Sequence, residues 1–119
     1  MAKVKIVNRT MRTKDVDDML RFQLMYYMYI SDKRYNDCEL RCLVLLAKHD
    51  DIKQCDFCNL CVESGIYQSG QSARNFISKA VGDNTITRSK DKRIKIHDDA
   101  IIRVDGNVLF NLKFLYENN

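Results

Sequence analysis

The sequence predicts an α+β domain. Three consecutive helices and a β-hairpin form its body, with an extra strand and helix in front and one more strand behind. Three observations give that order. From Asn36 to Val81 apolar residues recur at helical spacing, as in helices with one buried face. Beyond Gly82 the spacing shortens to two, the period of a strand. The 119 residues contain four Gly and no Pro, so no stretch reads as a flexible linker and one core of ordinary size fits the whole chain.

Lys3 to Val7 alternates polar and apolar residues, as a short half-buried strand does. Asn8 to Lys14 is polar and connects onward. Asp15 to Ile30 carries two patterns at once. Val16, Met19, Leu20, Leu24 and Tyr27 fit a helical face, whereas Leu20, Phe22, Leu24, Tyr26, Met28 and Ile30 fit strand alternation. Length decides for a helix, since strands run to about five or six residues. So do Asp15, Asp17 and Asp18 near the start, where the helix macrodipole favours anions.

Asn36 to Lys48 is the clearest helix. Asn36 is placed to cap it and Glu39 to close a capping box, with Leu40, Leu43, Val44 and Ala47 on the buried side. The next helix is expected from Ile52 to Glu63, capped by Asp51 with Gln54 in the capping-box position. Its buried side is expected to hold Ile52, Cys55, Cys58, Cys61 and Val62, and Gly65 is placed to end it. After a turn over Ile66 to Gly70, Gln71 to Val81 forms a third helix, begun by Gln71 or Ser72 and ended by Gly82. Ala73, Phe76, Ile77 and Ala80 make one stripe, and Arg74, Asn75, Ser78 and Lys79 face the other way.

Thr85 to Arg88 and Arg93 to His97 then read as two strands joined by the polar turn Ser89-Lys90-Asp91-Lys92. A last strand covers Asn107 to Tyr116 behind the turn signal Asp105-Gly106, and it can pair with the first. Helix, helix, turn, helix and hairpin is the order of a winged helix-turn-helix. The expected single domain thus divides into an N-terminal extension over 1–33, a winged-helix core over 36–97 and a C-terminal strand region over 98–119.

Charge singles out one part of this plan. Between Ser72 and Lys95 stand seven basic residues (Arg74, Lys79, Arg88, Lys90, Lys92, Arg93 and Lys95) against Asp83 and Asp91, while the whole chain carries only +4. The excess is concentrated there, as expected where a protein meets a polyanion. A duplex major groove admits one α-helix. Arg74 can fork onto guanine or phosphate, Asn75 can read adenine, and Ser78 and Lys79 can take phosphates. Ser72 lies where backbone N–H groups favour phosphate. Arg88, Lys90, Lys92, Arg93 and Lys95 line the hairpin, which can lie along the backbone or enter the minor groove.

The stretch Glu63-Ser64-Gly65-Ile66-Tyr67-Gln68-Ser69-Gly70-Gln71-Ser72-Ala73-Arg74-Asn75-Phe76-Ile77-Ser78-Lys79 is similar to the helix-turn-recognition helix of small winged-helix proteins. The resemblance covers Asn36 to His97 and implies duplex DNA binding by the third helix and the wing. More loosely, Ser72 to Lys79 and the Asp105-Gly106-Asn107 strand resemble small proteins encoded by large tailed bacteriophages of gut Bacteroidetes. Gly82-Asp83-Asn84 departs from the family pattern, standing where a basic turn is commoner and weakening phosphate contacts there. The function expected is a double-stranded DNA-binding transcriptional or replication regulator. The alternative is a phage structural or assembly protein that packs on neighbours through the same fold.

Rival chemistries are weaker. Gly65 to Ser72 imitates a phosphate-binding P-loop, but Gln71 stands where its Lys belongs and a helix precedes it. Cys38 and Cys42, then Cys55, Cys58 and Cys61, have spacings that thiolate zinc sites use. They lie inside helices without a knuckle turn, so core packing is the reading preferred. Their odd number and placement also point to free thiols in a reducing cytoplasm. Cys42 and His49 are two helical turns apart, too far to act as a nucleophile and base. Asp98-Asp99 in a turn reads as solvated. No catalytic residue, metal or cofactor is expected. Neither is a membrane partner, because no apolar stretch is long enough and the start lacks a signal-peptide pattern. The apolar breadth of Asp15–Ile30, with Phe22, Tyr26, Tyr27 and Tyr29, suggests a homodimer through that helix.

Overall fold

The computed structural model describes residues 4–7, 15–49, 51–100 and 112–115. It is α+β, with four helices and a three-stranded antiparallel sheet. In chain order the elements are β1 (Val4–Val7), α1 (Val16–Ser31), α2 (Asp37–Ala47), β2 (Ile52–Lys53), α3 (Gln54–Glu63), α4 (Gly70–Gly82), β3 (Ile86–Arg88), β4 (Arg93–Ile96) and β5 (Leu112–Leu115). A 3-10 turn, Asp98–Ala100, follows β4. The sheet order is β2-β4-β3, a layout compatible with a winged helix. β1 pairs with β5 antiparallel, Val4 opposite Leu115 and Val7 opposite Leu112. The turn at Asp105-Gly106 and the start of the last strand lie outside the described residues.

Local chemistry sets most of the helix ends. Asp15 caps α1, its side chain accepting from the Asp17 N–H at 2.9 Å. The capping box of α2 forms in both directions: Glu39 N–H donates to Asn36 Oδ1 at 2.8 Å, and Asn36 N–H donates to Glu39 Oε1 at 3.0 Å. Gly65 ends α3 with φ +74°. Ile66 N–H reaches the Cys61 carbonyl and Gly65 N–H the Val62 carbonyl, both at 3.0 Å. This pairing is the Schellman closure, which needs the left-handed conformation that glycine adopts without a Cβ penalty.

Two helix starts differ from the sequence expectation. Ile52 and Lys53 belong to β2, opposite Ile94 and Arg93 of β4, and α3 begins only at Gln54. Asp51 has φ +59°, whereas an N-cap residue needs extended backbone, so the expected Asp51–Gln54 box does not form. Lys53 caps α3 without a side-chain bond, and the Gln54 N–H continues toward the sheet, donating to the Lys92 carbonyl at 2.9 Å. α4 begins at Gly70, earlier than Gln71 or Ser72, because Ser69 is the cap and its hydroxyl accepts from the Ser72 N–H at 3.3 Å.

One core joins the helices to the sheet. Leu20 and Leu24 of α1, Leu43 and Leu46 of α2, Phe57 and Cys61 of α3, and Ala73, Ile77 and Ala80 of α4 meet Ile86 and Ile94 there. α3 is turned relative to its expected register. Phe57, Cys58 and Cys61 are buried, while Cys55 and Val62 are exposed. Phe57 is the bulkiest group available, and burying it removes more apolar area from water than burying Cys55 or Val62. Buried Thr85 is satisfied on all sides: its hydroxyl lies 2.6 Å from the Tyr35 hydroxyl, its N–H donates to the Ala80 carbonyl, and its carbonyl accepts from His97 N–H.

Candidate nucleic-acid interface

α4 sorts its residues as an amphipathic helix must. Ala73, Phe76, Ile77 and Ala80 are buried, and Ser72, Arg74, Asn75, Ser78 and Lys79 are exposed. The buried stripe seats the helix on the core. Phe76 meets Tyr35 edge-on, with ring centroids 5.8 Å apart and planes at 83°. At the far end the Tyr35 hydroxyl donates to Asp83 and shares a hydrogen bond with Thr85, fixing the turn that carries the chain from α4 into β3. Burial, then the Asp83 hydrogen bond, push the Tyr35 phenol well above its ordinary range.

The exposed side of α4 is ordered by its own side chains. Arg74 donates to Gln71 Oε1 at 3.0 Å, and Gln71 donates to Asn75 Oδ1 at 2.8 Å. Gln71 therefore holds both groups expected to read bases, a role that the sequence left unassigned. Its signal was present, because residues three and four apart share a helix face. The Ser72 N–H is engaged by the Ser69 cap, so Ser72 does not offer that donor to a phosphate as expected. The start of α4 at Gly70 moves the unpaired N–H groups to earlier residues.

Lys79 differs from its neighbours. Its Nζ lies 2.8 Å from Glu39 Oε2 on α2 and 5.4 Å from the centre of the Tyr35 ring. Half of its side chain remains exposed, against 13% for Glu39. The lysine is thus tied to the scaffold by a shielded carboxylate, and its positive charge is already matched.

In the hairpin, Ser89 to Lys92 forms the tip. Ser89 N–H donates to the Arg93 carbonyl at 2.9 Å, and Lys92 sits at φ +62°. Lys90 and Lys92 are exposed there. Asp91 stands between them, and the Ser89 hydroxyl hydrogen-bonded to it holds its carboxyl below the usual range. Arg93 is half-buried, 3.6 Å from Asp91 and donating at 2.7 Å to the Asp51 carbonyl. Lys95 lies 3.6 Å from Asp98. Arg88 donates to Gln54 Oε1 at 3.2 Å and keeps an unmatched charge. Exposed Lys53, opposite Arg93 across the sheet, adds a cation that the sequence reading placed in a helix. Among the described residues Arg74, Arg88, Lys90 and Lys92 have no carboxylate at ion-pair distance.

The groove lined by Asp17, Asp18, Arg21, Arg41 and Lys48 brings cations and carboxylates together. Lys48 pairs with Asp17 there, and Arg21 pairs with Asp37. Among the described residues no three His, Cys, Asp or Glu side chains gather to hold a metal ion. No described helix is long and apolar enough to cross a membrane.

No family model matches the chain, and neither the curated proteins nor the solved structures give a match. The functional reading therefore rests on the residues themselves.

Proposed function

We propose that this chain is a double-stranded DNA-binding protein of winged helix-turn-helix type, a transcriptional or replication regulator that reads the duplex with α4 and the hairpin over 85–97. The observation that carries the reading is the division of α4. Its apolar stripe is buried, and Arg74, Asn75 and Ser78 stand exposed on the opposite side. A helix built this way can enter a major groove without disturbing its core. The hairpin follows through the Asp83–Thr85 turn and adds unmatched cations at Arg88, Lys90 and Lys92, which supply sequence-independent affinity for phosphate. The resemblance in Ser72 to Lys79 favours a phage-encoded regulator acting in the cytoplasm of a bacterial host. The reading assigns no catalytic residue, metal or cofactor.

Fluorescence anisotropy with a labelled random-sequence duplex tests it. The intact chain is expected to bind and to release as salt rises. Arg74→Ala with Asn75→Ala is expected to weaken binding. Equal binding by the double variant, or none by the intact chain at low salt, overturns the proposal.

A second reading is favoured by α1. Val16, Met25, Tyr29 and Ile30 are 45%, 51%, 80% and 62% exposed, and exposed apolar residues that gather in one patch mark sites of protein contact. On this reading the protein is a phage assembly component that packs on its neighbours by protein contact; a homodimer through Asp15–Ile30 is compatible with either reading. Sedimentation of the purified chain with and without duplex distinguishes the two readings: self-association without duplex binding supports the second, and duplex binding by monomer or dimer supports the first.

A further inference from the structure

Cys42 of α2 and Cys61 of α3 are both fully buried, and their sulfurs lie 3.6 Å apart. Each is the other's hydrogen-bond partner. A disulfide requires about 2.0 Å between sulfurs, so closing this gap takes a movement of roughly 1.5 Å. The remaining cysteines are placed differently. Cys38 is half-buried and donates to the Ile66 carbonyl at 3.0 Å, Cys55 is exposed, and Cys58 is buried. The five thus resolve into one contacting pair and three separate thiols.

We propose that Cys42 and Cys61 are an oxidation site, a dithiol that a hydroperoxide converts to an intrachain disulfide joining α2 to α3. The inference stands on the packing of these two helices and does not depend on what α4 binds.

The pair divides the chemistry between its members. Either sulfur can donate in this pair, and the arrangement with Cys42 as donor favours a thiolate on Cys61. That bond holds the Cys61 thiol below its ordinary range, and the same bond, then burial, push Cys42 up. Cys61 is assigned as the attacking thiolate; both sulfurs are fully buried, so attack requires a local opening of the α2–α3 packing that admits the hydroperoxide. Its sulfur takes the outer oxygen of the hydroperoxide, the O–O bond breaks, and the alkoxide leaves with the proton lost by Cys61, giving a sulfenic acid and an alcohol. The Cys42 sulfur then attacks the Cys61 sulfur. The S–S bond forms, the S–O bond breaks, and the departing hydroxide takes the Cys42 proton as water. Two thiols lose two electrons, and the hydroperoxide is reduced to alcohol and water. The closed bridge spans the β2 segment and most of α3. It restricts the unfolded chain more than the folded one, where the sulfurs are already close.

The test uses the full chain, with hydrogen peroxide as the probe. After stepwise oxidation, free thiols are alkylated in denaturant and the products are read by intact mass and peptide fragmentation. The expected product has lost two hydrogens, is labelled at three of its five cysteines, carries a Cys42–Cys61 cross-link, melts at higher temperature and reverts with a thiol reductant. Cys55→Ser leaves the core untouched and is expected to give the same cross-link. Full labelling after oxidation, sulfinic acid in place of a bridge, or a bridge through Cys38, Cys55 or Cys58 overturns the proposal.

Discussion

Replacing Lys90 and Lys92 together by Ala removes two of the four cations of α4 and the hairpin, Arg74, Arg88, Lys90 and Lys92, that have no carboxylate at ion-pair distance among the described residues. Lys79, Arg93 and Lys95 are matched by Glu39, Asp91 and Asp98. Each phosphate neutralised contributes about −0.9 to the slope of log affinity against log salt. The four on α4 and the hairpin then contribute about −3.6 to the slope, and the double variant loses about 1.8 of it. Between roughly 50 and 200 mM salt, these contacts should cost about a hundredfold in affinity for the intact chain and about tenfold for the variant. Both residues are exposed at the hairpin tip, so the fold should lose no more than about 0.5 kcal/mol. Anisotropy titrations on one duplex at a series of salt concentrations measure the slope directly. Lys79→Ala, run beside it, should change the slope less than Arg74→Ala does. An unchanged slope in the double variant, or a larger effect from Lys79→Ala than from Arg74→Ala, refutes the argument from matched charge.

Two further outcomes follow from the core and from Tyr35. Phe57→Ala empties a fully buried site and should cost about 3–5 kcal/mol in a denaturant titration; a cost under about 1 kcal/mol contradicts the observed register of α3. The Tyr35 phenol is raised by burial and by Asp83, so its stabilisation is complete below the unfolded value of about 10 and is lost as pH climbs past it. The stability gap between the intact chain and Tyr35→Phe should therefore narrow above about pH 10, and a gap that stays constant contradicts this placement of the phenol.

How far the sequence reveals the fold depends on the range of each signal. The α2 capping box and the buried stripe of α4 rest on residues within a few positions of one another, and both are legible. β2 is not, because two residues make a strand only through Ile94 and Arg93, about forty positions away. Without that pairing, Ile52 and Lys53 look like the first turn of a helix. The register of α3 is obscured for a related reason. Its cysteines and Val62 suit burial as well as Phe57 does, and the neighbouring helices decide among them. At the candidate interface the cations are visible in the sequence and their counter-charges are not. Gln71 and Asn75 meet within one turn, whereas Lys79 and Glu39 meet across 40 positions.

Glu39 brings these two ranges together in one side chain. Its Oε1 closes the α2 capping box at 3.0 Å, and its Oε2 holds Lys79 at 2.8 Å. The two tasks separate on substitution, because Gln at this position still accepts the capping hydrogen bond but carries no charge. Glu39→Gln should leave α2 capped while returning an unmatched cation to the exposed side of α4. If α4 meets a phosphate backbone, the salt slope should steepen by up to about 0.9 and affinity at low salt should rise. Lys79→Ala added to Glu39→Gln should abolish the gain. A surface that works by protein packing has no reason to respond in this way. A Glu39→Gln chain that folds normally yet binds duplex no more tightly, and no more steeply with salt, would remove α4 from the nucleic-acid interface.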